Sequence, residues 1–122
     1  KYNSIALNAY GYSLALHKLH LDKSEKLIRK ALDIRPGQAA ILDSLAWVLY
    51  LKGSYKEAAK YSSLAYSKDQ DPEIIEHHYL ILLKNGNSNE AKSILDQSIK
   101  NNPNSEKLLK LLDSSENAAI KL

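Results

Sequence analysis

The chain has no cysteine and no methionine, and only three prolines and four glycines among its 122 residues. Without cysteine it cannot form a disulfide framework, a thiolate metal site or a cysteine nucleophile. A run of about 18 apolar residues, which a membrane-spanning helix needs, is also missing from the sequence. Few prolines and glycines are typical of an all-helical chain. Because Lys1 begins the sequence and no methionine follows, we expect a fragment or a processed product, with any signal peptide upstream.

Neither sign of charge is in large excess. Lysine and arginine number 17 and aspartate and glutamate 14, so the formal net charge is +3. This balance is too weak to indicate nucleic-acid binding. Hydrophobic residues make up 44% and charged residues 25%, which is ordinary for a globular protein. The length fits one domain, and we expect residues 1–122 to form it.

The sequence repeats itself with a period close to 34 residues. A shift of 33 aligns Leu49 with Leu82, Gly53 with Gly86 and Ala58 with Ala91, whereas upstream a shift of 35 aligns Tyr12 with Trp47. The longer first period predicts an extra residue near positions 17–20. The repeats span about residues 4–38, 39–71 and 72–105, and such arrays fold by stacking one unit on the next.

Each unit is predicted to be a helical hairpin. In the second unit, apolar residues at Leu42, Leu45 and Leu49 follow the spacing of an amphipathic helix. Gly53 then ends that helix, because a residue without Cβ adopts the left-handed conformation at little cost. The same reasoning along the chain predicts helices over 3–18, 23–34, 38–52, 55–68, 72–84 and 88–101, with a seventh from about 105.

A capping-box spacing precedes each second helix. The pairs are Asp22 with Glu25, Ser54 with Glu57, and Asn87 with Glu90. In such a box the first side chain caps a free backbone N–H, and the glutamate reaches back to the cap residue. Asp71 followed by Pro72 similarly predicts an N-cap and a first-turn proline for the fifth helix.

The repeated residues resemble the tetratricopeptide repeat. The pattern W-x2-L-G-x2-Y, A-x3-F, P is matched in unit one by Leu7, Tyr10, Gly11 and Leu14, with Pro36 at its end. The resemblance implies an all-α, right-handed superhelical solenoid of three hairpins with a capping helix over about 105–121. It also implies that the first helix of each hairpin lines a concave groove.

The stretch from LNAYGYSLA to DPEI looks more particularly like the C-terminal repeats of bacterial multi-repeat proteins of this family. Many such relatives are exported or lipid-anchored, but the sequence itself shows no targeting signal. The compartment therefore stays open.

Unit three departs from the pattern at two adjacent positions. Tyr79 stands where a small residue normally lets two helices approach, and His78 stands where leucine is usual. We therefore expect this unit to pack more loosely than unit two.

The position of each residue around its first helix assigns one set of side chains to the groove, and Glu73 occupies one of these positions. The candidate partner-binding residues are Asn8, Tyr12, Asp43, Trp47, Tyr50, Glu76, His77 and Leu80. Trp47 is the only tryptophan, and Tyr12 and Tyr50 are predicted to lie near it. Tryptophan and tyrosine dominate interface hot spots, which favours an aromatic platform for a peptide. The alternative is that Trp47 packs between hairpins as core. Asp43 and Glu76 are expected near the rim of this face.

The sequence offers no chemistry for catalysis or for a cofactor. It has no nucleophile with a nearby base, no phosphate-binding glycine loop and no metal motif. His17 and His20 lack the further ligands that a metal needs, as does His77 with Glu73. The groove also lacks the lysines and arginines with which some tetratricopeptide domains hold the C-terminal carboxylate of chaperones, which argues against that ligand.

These observations predict a non-enzymatic scaffold that binds a protein or peptide of unknown identity in its groove, with no nucleic acid and no small-molecule substrate. A second hypothesis stays open. The chain is then a structural module, the end of a longer array, that docks onto other repeats or onto another copy of itself to form a homo-oligomer.

Overall fold

A computed structural model describes residues 3–121, with side chains described for 3–115. Seven α-helices and no strand occur in this part of the chain. Their bounds are α1 (Ser4–Leu16), α2 (Leu21–Ile34), α3 (Ala39–Leu51), α4 (Tyr55–Lys68), α5 (Pro72–Lys84), α6 (Ser88–Asn101) and α7 (Glu106–Lys121). All seven lie within two residues of the predicted bounds at both ends. None of the described helices is long and apolar enough to cross a membrane.

The helices form three antiparallel hairpins in two rows. α1 packs on α2, α3 on α4 and α5 on α6, and each hairpin stacks on the next. The first helices α1, α3 and α5, followed by α7, also touch one another in succession, whereas α2, α4 and α6 make no close backbone contact within the described residues. The row with the closer approach is the inner, concave side. The chain is therefore an all-α helical repeat solenoid, and the surface along α1, α3 and α5 is called the inner face below.

Small residues allow the two helices of a hairpin to pack closely against each other. Ala58 and Ala91 are fully buried at equivalent places in the second and third hairpins. In the first hairpin a Cβ built on Gly11 would come within 2.7 Å of the Ile28 side chain. No real Cβ fits at that distance, so glycine is required there for α1 to lie against α2.

The two predicted glycine turns are present. Gly53 and Gly86 have φ angles of +87° and +80°, the left-handed conformation that ends α3 and α5. The first hairpin lacks this glycine and turns instead through Lys18 and His20, both with positive φ. This longer turn holds the extra residue that the change in repeat period predicted.

Of the four predicted helix caps, only the one before α5 forms as expected. The Asp71 side chain accepts a hydrogen bond from the backbone N–H of Glu73 at 3.0 Å, and Pro72 occupies the first turn. Ser54 and Asn87 do occupy N-cap positions, but without a side-chain cap hydrogen bond. Asp22 lies one residue inside α2, which begins after the left-handed His20, so the capping box predicted there is wrong.

The glutamates predicted to close these boxes make ion pairs in two of the three hairpins. Glu25 pairs with Arg29 at 2.8 Å and with Lys52 at 2.7 Å, and Glu57 pairs with Arg29 at 3.1 Å. A charged donor competes well with a backbone N–H, because charge-assisted hydrogen bonds are about twice as strong as neutral ones.

The two helices of the third hairpin approach each other less closely than those of the second, as the sequence predicted, yet both unusual residues are buried. Tyr79 and His78 are 5% and 2% exposed. Nδ1 of His78 lies 2.7 Å from the hydroxyl of Ser62 on α4, and its ring stacks on Tyr66 at 5.2 Å. Ser62 stands where the first and third hairpins carry the fully buried Ile28 and Leu95. A small residue in one hairpin thus makes room for a larger polar one in the next, so His78 is packed although α5 and α6 lie further apart than α3 and α4.

Helix α7 closes the last hairpin. Leu108 is fully buried, and Leu111 and Leu112 pack on the apolar cluster that contains Ile75, Tyr79 and Leu95. This is the apolar stripe from which the sequence predicted a capping helix.

Candidate functional site

An aromatic stack runs along the inner face. The indole of Trp47 on α3 lies between two flat neighbours, His77 of α5 at 4.1 Å and Tyr50 at 4.6 Å between ring centroids. Tyr50 in turn meets the edge of Tyr55, the first residue of α4, at 5.6 Å. His77, Trp47, Tyr50 and Tyr55 are called the aromatic stack below.

Trp47 is only half-buried. It packs against the main apolar cluster on one side and remains partly accessible on the inner face. The ring is therefore packed partly as core, as one interpretation expected, and is partly accessible, as the other requires. The ring is supported by the core and fixed by its neighbours, which lowers the entropic cost of presenting it to a ligand.

A buried hydrogen bond anchors the His77 end of the stack. Nδ1 of His77 and Oδ1 of Asp43 are 2.8 Å apart, and the two residues are 4% and 6% exposed. Because an ionised carboxylate only accepts, the imidazole N–H is the donor. Burial raises the pKa of Asp43, and the hydrogen bond from His77 opposes that rise. Asp43 was expected at the rim of the groove, and this was wrong, because the pairing with His77 draws it into the floor.

Tyr12 reaches across from α1 to α5. Its hydroxyl donates a 3.0 Å hydrogen bond to Oε1 of Glu73, and its ring centroid lies 6.3 Å from that of His77. Burial, helped by the negative Glu73, raises the pKa of Tyr12 well above its usual range, so the phenol stays neutral. Tyr12 was expected beside Trp47. Among the described residues no ring contact joins the two, because His77 lies against both.

The remaining predicted site residues flank this centre. Asn8 lies one helical turn before Tyr12, and its side-chain oxygen is buried without a hydrogen-bond partner among the described residues. Glu76 is half-buried and ion-paired at 3.3 Å with Lys107 of α7. Leu80 is also half-buried and packs on the cluster under α7.

Two residues of this face stand outside the predicted set of eight. Glu73 was placed in the groove columns by helical phase, but nothing in the sequence marked its bond to Tyr12, which is 61 positions away. The prediction placed only first-helix residues in the groove, so it did not include Tyr55, which begins the second helix of its hairpin. Its position directly after the Gly53 turn is the signal that could have found it.

The rest of the described surface offers no comparable cluster. No group of three histidine, aspartate or glutamate side chains converges to hold a metal within the described residues. On the outer side, Arg29 joins Glu25, Glu57 and the hydroxyl of Tyr61, which links α2 to α4. This network connects neighbouring hairpins on the outer side. The inner face is therefore the candidate functional site.

Comparison with known proteins supports the repeat assignment. No family model matches the chain. A curated relative, TPR repeat-containing protein PA4667 of Pseudomonas aeruginosa, is 37% identical over 75 residues, which are 62% of this chain. The matched part spans only 13% of that relative's length.

Solved tetratricopeptide structures share the fold over nearly the whole chain. The Sgt2 domain of Aspergillus fumigatus has a TM-score of 0.82 at 21% identity and covers 97% of this chain and 80% of its own. The second tetratricopeptide domain of human RPAP3, solved with the HSP70 peptide SGPTIEEVD, has a TM-score of 0.77 at 15% identity. The match covers 91% of this chain and 92% of that domain. The type III secretion translocator chaperone SycD of Yersinia enterocolitica, solved as an alternative dimer, has a TM-score of 0.78 at 19% identity. The match covers 97% of this chain and 91% of SycD.

The repeat period, the stacked hairpins, the curated relative and the solved domains agree with one another. The chain therefore has the tetratricopeptide-repeat fold, and over 75 residues its sequence is similar to a protein named for that repeat.

Proposed function

We propose that this chain is a non-enzymatic interaction module whose inner face binds a segment of another protein. The observation that carries the proposal is the aromatic stack, in which Trp47 is held between His77 and Tyr50 yet stays partly accessible. A large, rigid and partly exposed aromatic residue at the centre of a concave surface is the usual anchor of a binding hot spot.

The relatives give this proposal independent support. The RPAP3 domain, which has the same fold, was solved with a bound peptide, and SycD is a chaperone. Because shared fold does not transfer a ligand, the proposal rests on the side chains of this chain and takes from the relatives only the kind of role.

The experiment is a pull-down with the chain as bait, comparing wild type with Trp47→Ala. Truncating a hot-spot residue costs about 2 kcal/mol or more, roughly thirtyfold in affinity. We expect the variant to lose the captured partner while its helical circular dichroism stays close to that of wild type.

Tyr61→Ala is the matched control, because Tyr61 is also a half-buried aromatic residue but lies on α4, beside Arg29. It should still capture the partner. If Trp47→Ala folds and binds as wild type does, the ligand uses another surface. If it unfolds, Trp47 acts as core and the groove proposal fails.

A second candidate function is self-association through the first hairpin. Its apolar side chains are unusually exposed: Ile5 is 73% exposed, Leu16 and Leu19 are each 55% exposed, and Tyr10 is 51% exposed. By contrast, α3, the equivalent helix of the next unit, buries Ile41, Leu42 and Leu45 against its neighbours. SycD, which shares the fold, was solved as a dimer.

Light scattering at increasing concentration separates the two functions. Self-association predicts a rising mass for wild type and a constant, monomeric mass for Ile5→Glu. A mass that stays monomeric for both would remove this candidate.

A further inference from the structure

We infer that the inner face selects a segment carrying a lysine or arginine close to an apolar residue, with the cation received by Glu73 and the apolar side chain laid on Trp47. This inference rests on the proposed function, because it names the chemistry of the ligand for the same groove. It is drawn from three features: the charge of the face, an unfilled acceptor on Glu73 and the spacing of the aromatic rings along the face.

The charge of the inner face is negative around Tyr12. Glu73, Asp43 and Glu76 all act electrostatically on its hydroxyl. Asp43 is paired with His77 and Glu76 with Lys107. Within the described residues Glu73 has no cationic partner, and its Oε1 accepts only the neutral Tyr12 hydroxyl. Glu73 is also half-buried, so a ligand cation there would be screened less by salt than at an open surface.

The unfilled acceptor is Oε2 of Glu73, because among the described residues only Oε1 accepts a hydrogen bond, from Tyr12. An ammonium or guanidinium group carries three or five N–H donors and no acceptor. One such group could donate to the free oxygen of Glu73.

The spacing places an apolar residue close to this cation. The ring centroids of Tyr12 and Trp47 lie 6.3 Å and 4.1 Å from that of His77. An extended peptide advances about 3.3 Å per residue. The cation and the apolar side chain should therefore lie two or three positions apart. An acidic ligand such as SGPTIEEVD, the peptide in the RPAP3 complex, would meet like charge here.

The test begins with selection of a random dodecapeptide library displayed on phage against the wild-type chain. We expect enrichment of lysine or arginine two or three positions from leucine, isoleucine, tryptophan or phenylalanine. The best sequence is then synthesised with a fluorescent label, together with a version in which its cation is replaced by glutamate, and with SGPTIEEVD as a third probe.

Binding of these three peptides is measured by fluorescence polarisation to wild type, Glu73→Gln, Trp47→Ala and Glu90→Gln. Glu90→Gln is the matched control, because Glu90 also lies in the first turn of a helix but on α6. The selected peptide should bind Glu73→Gln at least tenfold more weakly than wild type or Glu90→Gln. The glutamate-substituted peptide and SGPTIEEVD should bind at least tenfold more weakly than the selected peptide.

The outcomes separate this inference from the proposed function. Neutral or acidic peptides that depend on Trp47 but not on Glu73 would overturn the inferred ligand and leave groove binding intact. Enriched peptides that ignore both variants, or no enrichment at all, would overturn both. Basic peptides that bind Glu73→Gln as tightly as wild type would show that the cation is received elsewhere, which also overturns the inference.

Discussion

His77 and His78 are neighbours in sequence but lie in two different environments. His77 faces α3 on the inner face, where it pairs with the carboxylate of Asp43 and stacks on Trp47. His78 faces α4 in the core, where its partners are the neutral hydroxyl of Ser62 and the ring of Tyr66. One position along a helix turns a side chain by about 100°, and α5 has a different neighbour in each direction.

The comparison shows how one helix contributes one side to the proposed binding face and the other to the core. The inner-face histidine is hydrogen-bonded to Asp43 and supports the partly accessible ring of Trp47. The core histidine replaces an apolar side chain and keeps the hairpins together. Variants at the two positions should therefore separate stability from binding.

The largest effect is expected for His78→Ala. The substitution leaves a cavity beside Tyr66 and removes the partner of the Ser62 hydroxyl. Core truncations of this size cost about 2–4 kcal/mol. Urea unfolding should show this loss as a lower midpoint, while the folded variant keeps wild-type affinity for the selected peptide. An unchanged midpoint would mean that His78 is not packed in the core.

A smaller effect is expected from pH. Burial lowers the pKa of His78 from 6.5 to about 4. Between these values the unfolded chain binds a proton that the native chain does not. The contribution of neutral His78 to the free energy of unfolding is therefore present above pH 6.5 and is lost as pH falls toward 4. We expect this residue to contribute a loss of about 2 kcal/mol between pH 7 and 4.5.

The raised pKa of buried Asp43 acts in the opposite sense, because its native state binds the extra proton as pH falls. The control is therefore the double variant Ser62→Ala with His78→Leu, which keeps Asp43 but has no titrating group in the core. Wild type should lose more stability than this variant on acidification. Parallel losses would show that His78 is not held neutral by burial.

The smallest effect on stability is expected for His77→Asn. The amide can still donate to Asp43, but the ring that stacks on Trp47 is lost. Aromatic pairs contribute about 0.5–1.5 kcal/mol beyond their buried area, so unfolding should change by about 1 kcal/mol. The affinity for the selected peptide should fall severalfold. A stability loss as large as that of His78→Ala would erase the distinction between the two histidines.

Most of the fold follows from periodic features of the sequence. Glycines at equivalent places end α3 and α5, and apolar residues at helical spacing fix which faces pack. The departures from the repeat pattern were harder to interpret. Ser62 and His78 each look unfavourable alone, and only their 2.7 Å contact shows that one compensates for the other. Such pairings join residues distant in sequence, and a single chain carries no local signal for them.

The candidate site shows the same limit. Helical phase placed Tyr12, Trp47 and His77 on one face, because phase depends only on spacing within a helix. Helical phase gives the direction of a side chain but not how deeply it is buried. Asp43 was therefore expected at the rim of the groove, although its hydrogen bond with His77 holds it in the floor. The Tyr12–Glu73 bond joins α1 to α5 across α3 and depends on the curvature of the array, which spacing within one helix does not report.

The central claim is that a ligand segment lies on Trp47 at the inner face. Because Trp47 is the only tryptophan, its indole N–H gives a single resonance in a nitrogen–proton correlation spectrum. On titration with the selected unlabelled dodecapeptide, we predict that this resonance shifts together with backbone amides of residues 43–50 and 73–80. The shifts should give the dissociation constant found by polarisation. Shifts confined to α2, α4 and α6, with the indole resonance unmoved, would contradict the claim.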